Sequence, residues 1–111
     1  MKQSHWAAYN EELGGPIFLE KPWGFCSYAM IEGGIWIKDI YIVPEERRKG
    51  RGKDLIREIE DIARAAGKTF LIAEAQMNSP VRLDSIKAQI AVGFVPGAAD
   101  NGVLYSRKEI K

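Results

Sequence analysis

With 111 residues, 46% of them hydrophobic, and a formal net charge of +1, the chain is long enough for one domain with its own core and too near neutrality for a general nucleic-acid coat. One cysteine, Cys26, excludes an internal disulfide, and one histidine, His5, leaves no cluster with which to hold a metal. No long apolar run or signal-like start is present, so the chain reads as a single domain over 1–111, cytoplasmic, with no membrane partner.

Taken in order, Ser4 can cap a short helix that runs to Leu13 and is ended by Gly14-Gly15-Pro16. His5 stands at its exposed start and reads as a surface residue before a catalytic one. Ile17 to Glu20 is a short strand, and Gly24 to Ile31 alternates well enough to be the next. Glu32-Gly33-Gly34 then turns the chain into a strand from Ile35 to Val43, rich in β-branched and aromatic residues and stopped by Pro44, which cannot donate to a ladder. Cys26 lies on an apolar strand with no histidine beside it in sequence, which fits a small core residue better than a nucleophile.

From Asp54 the period changes. Leu55, Ile56, Ile59, Ile62, Ala63 and Ala66 share one helical face, and Gly67 follows as the C′ residue. Between strand and helix, Arg47 to Lys53 carry five cationic side chains and two glycines. Free N–H groups, the positive end of the helix dipole and Cβ-free backbone meet there, as an anion requires. A pyrophosphate cradle, a solvated basic turn and a nucleic-acid contact all remain open on these residues alone. A P-loop is set aside because Asp54 follows Lys53; a dinucleotide fingerprint fits poorly because Leu55 stands where its third glycine belongs, although Glu74 sits near the position of a ribose-binding acid.

Lys68 to Met77 is the next strand, making a strand-helix-strand unit whose two strands run parallel with a right-handed crossover. Asn78-Ser79-Pro80 breaks the chain before a short helix from Leu83 to Val92. Gly93-Phe94-Val95, a loop with Gly97 and Gly102, and a last strand from Val103 to Lys108 complete it. The fold class is α/β with α+β character: a mixed, mostly antiparallel sheet around that central parallel unit.

The run Ile42-Val43-Pro44-Glu45-Glu46-Arg47-Arg48-Lys49-Gly50-Arg51-Gly52, with Ile37 and Ile40 upstream, resembles the signature V-x-P-x-x-[QR]-x-x-G-x-[GA] of the Gcn5-related N-acetyltransferases (GNAT). The resemblance spans Gly24 to Lys108 and implies the acyl-CoA N-acyltransferase fold, with acetyl-CoA as cosubstrate and no metal. It implies that the backbone of Ile40, Tyr41 and Ile42 meets the pantetheine arm in a gap between the two parallel strands. The amides from Arg48 to Lys53, with Arg47, Arg48, Lys49, Gly50, Arg51, Gly52 and Lys53 around them, would hold the pyrophosphate. Asn78 resembles the family's asparagine at the end of the second parallel strand, although the segment to Gly93 is about one helical turn longer than usual.

The implied reaction moves an acetyl group to a primary amine, which must first lose a proton. Asp39 and Glu74 are the candidate bases, each with an exposed strand carboxylate as its plainer reading. Where the family often keeps a tyrosine to protonate the leaving thiolate, four residues before the Gly-Phe pair, this chain has Gln89. Tyr41 and Tyr105 are the candidate replacements, each equally readable as packing. The short region before the hairpin implies an open acceptor site, suited to a protein lysine or N-terminus or to a pocket completed by a second subunit in a homodimer. Two rivals stand beside this reading: a non-catalytic CoA-binding regulatory module, which Gln89 permits, and a small nucleic-acid-binding protein using the basic loop.

Overall fold

The structure is a computed structural model and describes residues 5, 15–80 and 82–110. The helix expected from Ser4 to Leu13 lies outside these residues except for His5, which is helical and exposed. The elements run β1 (Ile17–Lys21), β2 (Gly24–Ile31), β3 (Gly34–Ile42), a 3-10 turn (Pro44–Glu46), α1 (Arg51–Ala65), β4 (Phe70–Gln76), α2 (Arg82–Ala91), β5 (Val95–Asp100) and β6 (Val103–Glu109). The six strands form one sheet in the order β1-β2-β3-β4-β6-β5, in which β3 and β4 are parallel and every other pair is antiparallel.

Alternation along β3 sends Ile35 and Ile37 to one face and Trp36 to the other. Those isoleucines join Cys26, Tyr28, Leu71 and Ala73 from the neighbouring strands, and α1 lays Leu55, Ile59 and Ala63 across them. Leu55 and Ile59 are fully buried, worth about 1.5–3 kcal/mol each. Glu60 on the same helix is buried as well, and Lys108 of β6 reaches it as an ion pair, tying the helix to the strand beyond β4.

Both helices stop in the same way. The Gly67 amide donates to the Arg64 carbonyl and the Lys68 amide to that of Ala63, while the Gly93 and Phe94 amides donate to Ile90 and Gln89. Each pair is a Schellman closure around a glycine at positive φ, +73° at Gly67 and +100° at Gly93. The second closure drops Phe94 into the core.

One expectation needs correction. The segment read as a loop around Gly97 is a strand, β5, paired with β6 through a bulge between Pro96 and Ala99. Its turn is Asn101-Gly102, both at positive φ (50° and 76°), the geometry of a two-residue hairpin. All six β5 residues are exposed, so no buried alternation marks them as strand.

The parallel pairing is short. It runs from Gly34 opposite Phe70 to Ile37 opposite Ala73 and stops, although β3 continues along β2 to Ile42 and β4 along β6 to Gln76. The interruption has a local cause. Ile37 lies opposite Tyr28 on β2 and Asp39 opposite Ser27, so Lys38 is an extra residue, a bulge that bends β3 where it leaves β4.

At the end of that divergent stretch Gly24 packs on β3 so closely that a Cβ would lie 2.1 Å from the Tyr41 carbonyl oxygen. Backbone cannot step aside as a flexible side chain can. Gly24→Ala is therefore expected to destabilise the protein by about 1–3 kcal/mol in urea unfolding. An unchanged midpoint would contradict the pairing of Gly24 with the end of β3.

Candidate active site

The divergence of β3 and β4 opens a cleft of about 440 Å³, floored by Ile37, Ala73 and Phe94 and flanked by Gly52 and Lys53 of α1 and by Gln89 of α2. Strand geometry fixes what its walls present. The Val43 amide donates to the Trp23 carbonyl on the β2 side, so alternation turns the Tyr41 backbone towards β2 and the backbones of Ile40 and Ile42 towards the cleft. On the other wall the Met77 amide donates to Gly102 beside β6, which turns Gln76 and Glu74 inward.

Side chains already occupy some of these inward groups. Arg47 Nε donates to the Ile42 carbonyl at 2.9 Å, and Gln89 Nε2 donates to the Glu74 carbonyl at 3.1 Å. Glu74 is the first β4 residue beyond the paired stretch, so Gln89 supplies a hydrogen bond where β3 no longer can. That role could not be read from sequence. The Ile40 amide and carbonyl and the Ile42 amide remain facing the cleft, a short length of strand edge with donor and acceptor exposed.

At one end of the cleft lies the start of α1. Gly50 is its N-cap in the left-handed conformation, φ +80°, and among the described residues no side chain caps it. The first hydrogen bond of the helix runs from the Asp54 amide to the Gly50 carbonyl, leaving the Arg51, Gly52 and Lys53 amides pointing outward. Arg48 also takes a positive φ, 63°, so the loop turns sharply just before the helix. A Cβ placed on Gly52 would meet nothing within 4 Å beyond its chain neighbours and the backbone of its own helix. Packing therefore does not demand glycine at that position.

The basic residues of the loop are less free than their number suggests. Glu46 accepts hydrogen bonds from Lys49 at 3.1 Å and from Arg51 at 3.0 Å. Lys49 first, and Arg51 after it, hold the Glu46 carboxyl below the usual carboxylate range, so the clamp is intact at neutral pH and opens only in acid. Arg51 also lies over the Trp23 ring, and Arg47 lies 5.7 Å from the Tyr41 ring centroid. Arg48 and Lys53 are the loop cations with no such tie among the described residues.

Asp39 and Glu74 both line the cleft, one on each wall. Asp39 is exposed and accepts from Ser27 Oγ at 3.3 Å. Glu74 is half-buried, and its Oε2 accepts from Trp36 Nε1 at 2.9 Å, which fixes it more firmly. Tyr105 lies opposite Glu74 on β6, its ring edge-on to Trp36 at 6.3 Å. Tyr41 is exposed against Phe25. Neither tyrosine lines the cleft. Asn78 sits exposed in the turn after β4, and its neighbour Ser79 lines the cleft instead. Cys26 is wholly buried on β2, opposite Ile40.

The model of the acetyltransferase (GNAT) family matches residues 2–83. No curated protein matches the chain. Among solved structures, a Desulfovibrio desulfuricans protein assigned as a GNAT-family acetyltransferase is 22% identical, covering 92% of this chain and 76% of its own, at TM-score 0.75. The PaiA N-acetyltransferase of Thermoplasma acidophilum, solved with coenzyme A, is 18% identical over 92% of this chain and 66% of its own, at TM-score 0.74. A Klebsiella pneumoniae protein assigned as an acyl-CoA N-acyltransferase is 20% identical over 85% and 70%, at TM-score 0.71. These likenesses establish a shared fold.

Burial, and after it the nearby Asp39 carboxylate, push the Cys26 thiol up to about 12 from 9.0. The native protein is therefore expected to resist thiol reagents at mildly alkaline pH and to yield one reactive thiol when unfolded. Because the folded value is the higher one, the stability this thiol contributes is complete below pH 9.0 and lost as pH rises towards 12. Urea midpoints of the parent and Cys26→Ala across that range should converge as pH rises.

Proposed function

The chain belongs to the acetyltransferase (GNAT) family, and on that premise we propose that it is an acetyl-CoA-dependent N-acetyltransferase whose acceptor is a primary amine of a protein, a lysine side chain or an N-terminus. The observation that carries this reading is the divergence of β3 from β4 beside an uncapped helix start. A thioester-bearing arm with amide groups along it is the partner that an exposed strand edge can pair with, and a diphosphate is what the α1 amides can hold. Gly52 supports the fit, because the space beside its Cα is free for a ligand.

Each residue then has a task. The amides of Arg51, Gly52 and Lys53 bind the diphosphate, and the Ile40 and Ile42 edge lays the arm along β3, fixing the angle of attack. A backbone amide aimed at the thioester oxygen stabilises charge that develops there. Glu74, held by Trp36, takes the proton from the incoming ammonium; Asp39, exposed and held only by Ser27, is the weaker candidate. Gln89 cannot donate a proton as an acid, and a thiol of pKa about 8.5 leaves without one.

The geometry gives little to a nucleic acid. Three of the five loop cations are tied to Glu46 or to the Ile42 carbonyl. A non-catalytic CoA-binding module shares the cleft and differs only in the absence of transfer.

Gly52→Ala separates folding from binding. The substitution should leave stability unchanged or raise it by up to about 1 kcal/mol, since alanine is the better helix former and has room. It should weaken CoA, measured by calorimetry, by roughly tenfold or more (~1.4 kcal/mol). Unaltered affinity would falsify the loop assignment. Acetyl transfer to a lysine peptide should be slowed about 10²-fold or more in Glu74→Gln with CoA binding kept. Binding with no transfer in the parent protein would favour the non-catalytic module.

A further inference from the structure

Lys38 is the residue of β3 that pairs on neither side. Its neighbours Ile37 and Asp39 take the places opposite Tyr28 and Ser27, and Ile37 is the last in register with β4. A bulge residue escapes strict strand alternation, so its side chain can be aimed. Lys38 lines the cleft, and its Nζ lies 3.5 Å from the centroid of the Trp36 ring. Trp36 is in turn held by Glu74 through the 2.9 Å bond from Nε1. Among the described residues Lys38 makes no ion pair, so its ammonium is held by the indole face rather than by a carboxylate.

An aliphatic primary amine thus stands where the strands part, one side chain removed from the carboxylate read as the base. We propose that Lys38 is itself an acetyl acceptor: the protein acetylates its own Lys38 in cis. The inference rests on the cleft being an acetyl-CoA site. The Lys38 ammonium gives a proton to Glu74, and the Nζ lone pair forms a bond to the acetyl carbonyl carbon. The carbon–sulfur bond breaks with its electron pair on sulfur, and the now cationic Nζ gives up its second proton, which the sulfur takes up. The products are Nε-acetyl-lysine and free CoA, with nothing oxidised or reduced.

The test is to incubate the purified chain with acetyl-CoA and follow intact mass and peptide maps, with CoA calorimetry on the same preparation. One acetyl group is expected, mapped to Lys38, at a rate that saturates with acetyl-CoA and does not change with protein concentration. Lys38→Arg should lose it, and Glu74→Gln should form it roughly tenfold more slowly or worse while still binding CoA. Acetyl groups spread over several surface lysines, at a rate linear in acetyl-CoA, would mean chemical background and overturn the proposal. No acetyl-Lys38 in a protein that binds CoA and modifies an added lysine peptide would overturn it and leave the enzymatic reading standing. No heat on titrating CoA would remove both.

Discussion

Everything in this molecule that could do chemistry depends on a hydrogen-bond ladder that stops early. β3 and β4 pair from Gly34 and Phe70 only as far as Ile37 and Ala73, and the extra residue Lys38 on β3 is where they separate. Unpaired backbone in a sheet interior is costly unless it finds other partners. Here it finds some, since Arg47 takes the Ile42 carbonyl and Gln89 takes that of Glu74. The remainder faces a cleft, and an edge of that kind selects an extended ligand carrying its own amides, as strand-addition sites do.

The second constraint acts at the start of α1. Counting cations suggests that positive charge draws an anion to Arg47–Lys53, but Glu46 holds Lys49 and Arg51, and Arg47 is turned to β3. What remains, beside Arg48 and Lys53, is a set of backbone amides with the helix dipole behind them and open space at Gly52. Recognition by amides requires close approach and a fixed geometry, whereas recognition by flexible lysines does not. That difference favours one diphosphate in one pose over a polyanion in many.

How far sequence can reach depends on how much each element buries. Ile35 to Val43 and the apolar face of α1 are legible because both periods are enforced by the core, and Gly67 because a Schellman closure needs the left-handed conformation. β5 is illegible: its residues are all exposed and include Pro96 and Gly97, so only the Asn101-Gly102 turn betrays a hairpin. The bulge does leave a trace in the order of residues. Ile35 and Ile37 are spaced by two, as are Ile40 and Ile42, but the step between the pairs is three, a phase slip of one residue at the point where Lys38 is inserted. Asn78 and Ser79 show the opposite case, since adjacent positions in a turn carry no period to say which one faces inward.

Gln89 bears on how a chain of this family could work without the usual acid. Its amide nitrogen is committed to the Glu74 carbonyl, so the position that could carry a proton donor instead satisfies a β4 carbonyl that β3 leaves unpaired. The exchange is tolerable for this leaving group in particular. A thiolate needs little protonic help, while an amine acceptor needs its proton removed before it can attack at all. Of the two proton transfers, removal from the amine is the one this chemistry cannot do without, and the carboxylate best fixed in the cleft is Glu74, which Trp36 holds and beside whose backbone Gln89 lies.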